Sequence, residues 1–308
     1  MFNNPIISIG LPVFNDEKYI GYAIESIINQ SFTNFELIIS DNNSNDRTEE
    51  ICKTYELKDK RIKYFRQNCN IGQRNNFEFV LNKSMSEYFM WASSDDYLEK
   101  DCLEELFLTI CNNVNSVLAF PNVKLVDESN IFLGKLNIKP NDQKEKSKLS
   151  FIRSLALGSK RCSYVFYGLW KTKILKSYLP LPKCRYYDGV FANYVGLHEN
   201  FCYSGKYNWC RRIYVQLNFE RYESKDKILF KYYTSNLQSL KAIFELLKMI
   251  VYRNFRIKYI NRYLTVLFFY SYYILVGILS TSSYLRRLSI FLKIKEIGIT
   301  TEKTNNNV

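Results

Sequence analysis

A single histidine, His198, serves 308 residues, and none of the eight cysteines forms a Cys-x-x-Cys pair or a Cys/His cluster. A zinc site of nitrogen and sulfur ligands is thereby excluded. Scattered thiols of this kind read as small buried hydrophobes and fit a cytosolic setting. The opening Met1-Phe2-Asn3-Asn4-Pro5 is polar and the apolar run behind it is short, so no signal peptide is expected. No glycine-rich loop follows the first apolar run, which argues against the sugar nucleotidyltransferases, whose opening strand leads into such a loop. There is no internal repeat and no recognisable RNA- or DNA-binding motif. The aromatics form apolar runs rather than a basic stacking face, so nucleic acid is not expected as a partner. Acid is scarce in the second half: residues 1–150 carry 17 Lys/Arg against 22 Asp/Glu, whereas residues 151–308 carry 26 against 8, within a net charge of +13. The second half is therefore expected to face something anionic, either a membrane or a diphosphate-bearing substrate.

What is present begins with alternation. Ile6–Leu11 is a continuous apolar strand, and Ile20, Ala23, Ile24, Ile27 and Ile28 recur at helical spacing behind it. A second strand, Phe35–Ser40, leads to Asp41-Asn42-Asn43-Ser44-Asn45-Asp46. The run Asp46-Arg47-Thr48-Glu49 then reads as a helix start, with a capping side chain and a Glu three residues on. Ile62–Phe65, Tyr88–Ala92 and Ser116–Pro121 are further strands, with helices over Asn75–Met85 and Lys100–Cys111. This pattern predicts an α/β fold, a mostly parallel sheet flanked by helices. The polar, lysine-bearing stretch 127–148 reads as a loop between two halves.

Three of the strands release polar or acidic groups at their carboxyl ends, where open α/β sheets bind ligands. The first ends in Pro12-Val13-Phe14-Asn15, the second in Asp41, and the strand Tyr88–Ala92 in Ser93-Ser94-Asp95-Asp96. Each has an ordinary reading as well: adjacent acids in a solvated turn, or an Asx-turn at Asp41. Taken together, the three segments resemble the nucleotide-sugar site of the family-two glycosyltransferases of GT-A, Rossmann-like fold. That resemblance implies that Pro12, Phe14 and Asn15 wall the base and that Asp41 accepts the imide N–H of uracil. Thymine shares that edge, so UDP is favoured and dTDP stays open. It implies that Asp96 ligates Mn²⁺ or Mg²⁺ and that Asp95 contacts the ribose or assists the metal; Ser93 replaces the first acid of the family's motif. A hard cation on carboxylate and phosphate oxygens would neutralise the diphosphate leaving group. Cys69-Asn70-Ile71-Gly72-Gln73-Arg74 resembles the family's Asn-x-Gly segment, which gives Arg74 a phosphate contact; a surface Arg at a helix start is the equal alternative.

The same resemblance implies a direct, inverting displacement that needs a general base. Asp188, in Arg185-Tyr186-Tyr187-Asp188-Gly189, is the only acid between Glu145 and Glu199 and is the candidate; as a bare residue it reads equally as a helix cap. Trp170 lies where the family places acceptor contacts or else is core, and Arg211, Arg212 and Arg221 are further anion candidates. The expected division is a glycosyltransferase domain over 1–235, with its donor half to about 120 and its acceptor half over 121–235, followed by a basic aromatic extension over 236–308. Within that extension residues 241–295 hold ten Lys/Arg and one acid, and Tyr263–Leu285 runs 23 residues without charge. That is long enough to cross a bilayer. Its five tyrosines and the basic flanks on both sides favour an in-plane, amphipathic helical arrangement on an anionic membrane surface over a span or ordinary core. The expectation is therefore a cytoplasmic-face, inner-membrane enzyme moving a sugar from a nucleotide-sugar donor to a glycan or polyprenyl-linked acceptor. The alternative is a non-catalytic, membrane-bound nucleotide-sugar binding or scaffold protein of the same fold.

Overall fold

The computed structural model describes residues 4–138, 159–184 and 187–214. The first three strands, β1 (Ile7–Val13), β2 (Phe35–Asp41) and β3 (Ile62–Arg66), are separated by α1 (Ile20–Ile28) and α2 (Thr48–Lys58). Every residue of β1 and β2 is buried, as expected of a parallel sheet covered on both faces. Helix α1 turns Ile20, Ala23, Ile24 and Ile27 inward, the stripe that its spacing predicts. Helix α2 starts within the expected run, but its cap residue is Arg47, which makes no side-chain capping bond; Oδ1 of Asp46, one residue earlier, accepts the backbone N–H of Thr48 at 3.0 Å.

Then follow α3 (Gln73–Lys83), β4 (Tyr88–Trp91), β5 (Tyr97–Leu98), α4 (Cys102–Asn112), β6 (Ser116–Val126) and β7 (Phe132–Leu136). After them come α5 (Ser159–Phe166), β8 (Leu169–Lys171), α6 (Thr172–Ser177), α7 (Tyr187–His198) and β9 (Asn200–Arg212). Helix α3 packs on β1 through Val80, and Gly10 makes this possible. A Cβ there would stand 2.6 Å from Phe89 Cζ and 2.7 Å from Val80 Cγ2.

The strand order is β3-β2-β1-β4-β8-β6-β9-β5, with β7 beside β6. Strands β3, β2, β1 and β4 are mutually parallel. Beyond them the sheet reverses: β8 is antiparallel to both β4 and β6, and β9 is antiparallel to β5. The sheet is thus mixed rather than mostly parallel. The strand at Ser116–Pro121 itself runs with β4; the reversal comes from β8, a three-residue strand too short to show a pattern, which inserts antiparallel between them about fifty residues further along the chain. A second departure concerns the stretch 127–148, whose described part holds strand β7 instead of loop. There Oδ1 of Asp127 accepts the N–H groups of Ser129 and Ile131 at 2.8 Å each, and Asn130 takes φ 67°, which closes a tight turn.

The described residues form two compact units: those within Met1–Val123, Val165–Leu181 and Glu199–Arg211 make the first, and the other described residues the second. In the first, an aromatic core is built around Trp91, whose ring stacks on Phe166 at 4.0 Å and whose Nε1 donates to the Phe77 carbonyl. In the second, Arg212 is buried and donates from Nη1 to the carbonyls of Asp127 (3.0 Å) and Glu128 (3.3 Å). The expected extension over 236–308, the stretch Tyr263–Leu285 and Arg221 lie outside the described residues. Among the described residues no helix is long and apolar enough to cross a membrane.

Candidate active site

From β1 the chain runs to β2 and β3 on one side and then crosses to β4 on the other. The topological switch point therefore falls between β1 and β4, and crevices at the carboxyl ends of such strands are where doubly wound sheets take ligands. Three groups of residues meet that description: Pro12–Asn15 at the end of β1, Asp41–Asp46 at the end of β2, and Ser93–Asp96 just after β4.

The first two groups are latched together. The backbone N–H of Asn15 donates to Ser44 Oγ (2.9 Å), and Asn15 Oδ1 takes the N–H of Asn45 (2.8 Å). One residue on, the N–H of Asp16 donates to Thr48 Oγ1 (2.9 Å). Glu17 and the β2–α2 turn then exchange bonds, from Glu17 N–H to Asp46 Oδ2 (3.0 Å) and from Arg47 N–H to Glu17 Oε2 (2.9 Å). Asn15 and Asn43 hold φ values of 50° and 66°, the left-handed region that asparagine tolerates better than most residues. Pro12 is buried within β1, whereas the ring of Phe14 is 44 % exposed at the rim.

Asp41 is fully buried, and its carboxylate is engaged on both oxygens. Oδ1 accepts the N–H of Ser44 at 2.8 Å; Oδ2 accepts the Tyr64 hydroxyl at 2.7 Å and Arg66 Nη1 at 3.0 Å. Arg66 also donates from Nη2 to Asn43 Oδ1 and the Ser44 carbonyl, and its Nη1 pairs with Glu49 at 3.1 Å. Burial, and next the hydrogen bond to Asp41, push the Tyr64 hydroxyl well above its ordinary value, so it stays a donor. Asp41 thus orders the turn that follows it. Tyr64 and Arg66 escaped the sequence reading. The signal was the β2–β3 register, which sets Asp41 opposite Arg66, and one strand pattern alone does not reveal a register.

The Asn-x-Gly segment docks on the next residue of β2's turn. Asn42 Oδ1 accepts the N–H of Ile71, and its amide donates to Asn70 Oδ1, both at 2.8 Å. Gly72 has φ 82°, a conformation that favours glycine. Arg74, the phosphate candidate, pairs with Glu78 at 2.6 Å and donates to the Leu181 carbonyl at 3.3 Å.

After β4, Ser93 Oγ donates to Asp95 Oδ1 at 2.6 Å. Asp95 is partly exposed and Asp96 is buried. Oδ2 of Asp96 accepts the indole N–H of Trp209 at 3.2 Å. A small pocket lies against this carboxylate, lined among others by Ser26, Ala92, Ser93, Tyr97, Tyr167 and Trp209. Among the described residues no three His, Cys, Asp or Glu side chains cluster as a metal cage. Two adjacent carboxylates are a hard oxygen donor set, which fits Mg²⁺ or Mn²⁺ completing its shell with phosphate and water.

Asp188 lies in the second unit, in the first turn of α7, partly exposed, with Oδ1 accepting the N–H of Gly189 at 2.8 Å. The positive end of a helix suits a carboxylate. His198 ends the same helix, its ring 5.2 Å from that of Tyr194. Trp170 is completely buried and donates to the Phe166 carbonyl, a core residue rather than an acceptor contact.

Fold and rim together define a class, an α/β protein with acidic and aromatic groups converging at the switch point of its parallel strands. The chain belongs to glycosyl transferase family 2, whose family model matches residues 8–164. An uncharacterised glycosyltransferase of Methanocaldococcus jannaschii is 26 % identical over 97 % of this chain and 98 % of its own length. The GalNAc(5)-diNAcBac-PP-undecaprenol beta-1,3-glucosyltransferase of Campylobacter jejuni is 31 % identical over 53 % of this chain and 57 % of its own. An uncharacterised glycosyltransferase of Haemophilus influenzae reaches 40 % identity, over 33 % of this chain and 41 % of its own length. The chain thus spans nearly all of the Methanocaldococcus relative and less than half of the Haemophilus one. Among solved structures, S. aureus TarS 1–349 in complex with UDP-GlcNAc superposes with a TM-score of 0.57 at 19 % identity, covering 94 % of this chain and 88 % of that one. At that identity the likeness shows the fold.

Proposed function

We propose that this glycosyltransferase moves a sugar from a nucleotide sugar, with a UDP-sugar as the favoured donor, to a hydroxyl of a lipid-linked or polysaccharide acceptor. The observation that carries this reading is the convergence of Phe14, the Asp41–Ser44 turn and Asp95-Asp96 at the carboxyl ends of β1, β2 and β4. Phe14 offers an exposed ring for a base to stack on, and the two acids offer oxygen ligands for a cation. UDP-GlcNAc bound to the structural neighbour and the undecaprenol-linked acceptor of the Campylobacter relative support the two substrate classes. The basic second half fits an anionic inner-membrane surface on the cytoplasmic side, where each Lys or Arg near the surface contributes about 1 kcal/mol.

The residues divide the work accordingly. Asp96, with Asp95 beside it, would hold Mg²⁺ or Mn²⁺, which when bound neutralises charge on the departing diphosphate. Phe14 and the latched turns hold the base. Asp188 takes the proton of the acceptor hydroxyl as its oxygen bonds to the anomeric carbon. The sugar–phosphate bond breaks on the opposite face, its electron pair leaves with the nucleoside diphosphate, and the anomeric centre inverts.

The test is calorimetric titration of UDP, dTDP, GDP and CDP, with and without Mn²⁺, into wild type and Asp96→Ala, followed by sugar-release assays with the donor so identified. Metal-dependent binding of one nucleotide, lost in the variant, is the expected result. Absence of nucleotide binding under every condition refutes the reading. Binding with release that stays at background for every donor and acceptor favours a non-catalytic binding protein, a reading to which the serine at position 93 lends some weight.

A further inference from the structure

Strand β9 contributes one side chain to the donor site that its own sequence context does not announce. Trp209 is 2 % exposed, and the β5–β9 register sets it opposite Leu98, two residues beyond Asp96. Its ring leans on Tyr167, with centroids 4.9 Å apart and planes at 40°. So placed, the indole cannot swing, and its N–H meets Asp96 Oδ2 at 3.2 Å. An indole nitrogen is a donor only and does not titrate in the working range. It therefore fixes the plane of a carboxylate without competing for its cation.

We propose that Trp209 is a positioning residue for Asp96, holding the carboxylate in the orientation in which it receives the divalent cation of the nucleotide-sugar donor. The proposal rests on Asp96 being that cation's ligand. Groups that orient metal ligands from behind typically contribute 10- to 100-fold in metal affinity. Asp96 lies just before β5, and the paired strands β5 and β9 hold the indole donor against its carboxylate from a rigid frame, in the way a ligating group is best preorganised.

The test compares wild type, Asp96→Ala and Trp209→Phe by calorimetry of UDP in Mn²⁺ and in EDTA. Trp209→Phe keeps a ring against Tyr167 and deletes the donor. The expected result is that it binds UDP as wild type does in EDTA but loses about tenfold or more of the enhancement that Mn²⁺ gives, while Asp96→Ala loses it all. Equal Mn²⁺ enhancement in Trp209→Phe and wild type overturns the proposal and leaves the reading of Asp96 standing. A drop of equal size in EDTA means a packing defect and overturns it as well. No Mn²⁺ enhancement in wild type removes both.

A second measurement needs no variant at the site. With 5-fluorotryptophan in place of Trp91, Trp170 and Trp209, and resonances assigned through Trp91→Phe and Trp170→Phe, Mn²⁺ with UDP must broaden the Trp209 ¹⁹F line more than that of Trp170. A Trp209 line that stays sharp puts the cation away from Asp96, which overturns the reading of Asp96 as its ligand and the proposal with it; a broadened line with unchanged Mn²⁺ enhancement in Trp209→Phe overturns the proposal alone.

Discussion

Replacing Asp41 by alanine separates two jobs that one carboxylate can do. As a group that only touches the base, Asp41 would influence nucleotide affinity and little else. Its surroundings say otherwise. The side chain is fully buried and accepts from Ser44 N–H, Tyr64 Oη and Arg66 Nη1. Truncation leaves three donors facing a cavity. Breaking a buried ion pair by removing one partner costs roughly 3–5 kcal/mol. Arg66 is 31 % exposed and keeps Glu49 at 3.1 Å, so water and the second acid recover part of that loss. A cost of about 2–3 kcal/mol remains. Asp41→Asn keeps the shape but must turn an amide N–H toward Ser44 or Arg66, and about 1–2 kcal/mol is expected. Urea unfolding followed by circular dichroism, alongside UDP calorimetry, measures both effects. Stability of Asp41→Ala within about 0.5 kcal/mol of wild type, with only UDP affinity reduced, would refute the reasoning.

Three further outcomes are expected. Gly168→Ala should destabilise by about 1–3 kcal/mol or more in the same assay, because its Cβ would stand 2.4 Å from the Ala119 carbonyl oxygen, which is backbone and cannot rotate away. Iodoacetamide at pH 8, read by mass spectrometry, should label exposed Cys69 and leave Cys52 untouched in the folded protein. Burial first, then the charges of Asp41, Asp46 and Glu56, push the Cys52 thiol up to about 12. Stability should fall in acid as well. The hydrogen bond from Arg61 holds Asp59 below its ordinary value. Burial opposes the charge of Asp46, yet its bonds from Thr48 and Glu17 lower it on balance. Such depressed carboxyls stabilise the fold above their unfolded pKa, and this is lost as pH falls through the lower folded values. Asp59→Asn should therefore flatten the acid limb of a stability–pH curve below about pH 4.

The parallel half of the molecule was legible because each of its elements carries its own period. The apolar run of β1, the Ile20–Ile27 stripe and the start of α2 all lie where the pattern put them. The antiparallel pairings were not legible, since β8 and β9 find their partners far away in the chain, β8 between β4 and β6 and β9 beside β5. β7 was hidden by its polar flanks, with its turn set by the Asp127 side chain. At the site, the rim residues could be placed because they end strands. Tyr64, Arg66 and Trp209 could not, because each reaches its carboxylate across a strand pairing. Arg74 shows the converse: a motif position whose guanidinium is held by Glu78 and a carbonyl.

The five hydrogen bonds joining the β1–α1 and β2–α2 turns have a consequence for the thermodynamics of recognition. Turns already tied to each other would have little conformational freedom left to surrender to a base settling against Phe14, as proposed. On that reading this end of the site is preorganised, and ordering it subtracts little from the contact energy. Substitutions at the exposed positions of these turns can alter which base is preferred while the latch keeps the backbone in place. On the proposed reading, substitutions of the latch residues should instead shift the binding entropy for every nucleotide alike.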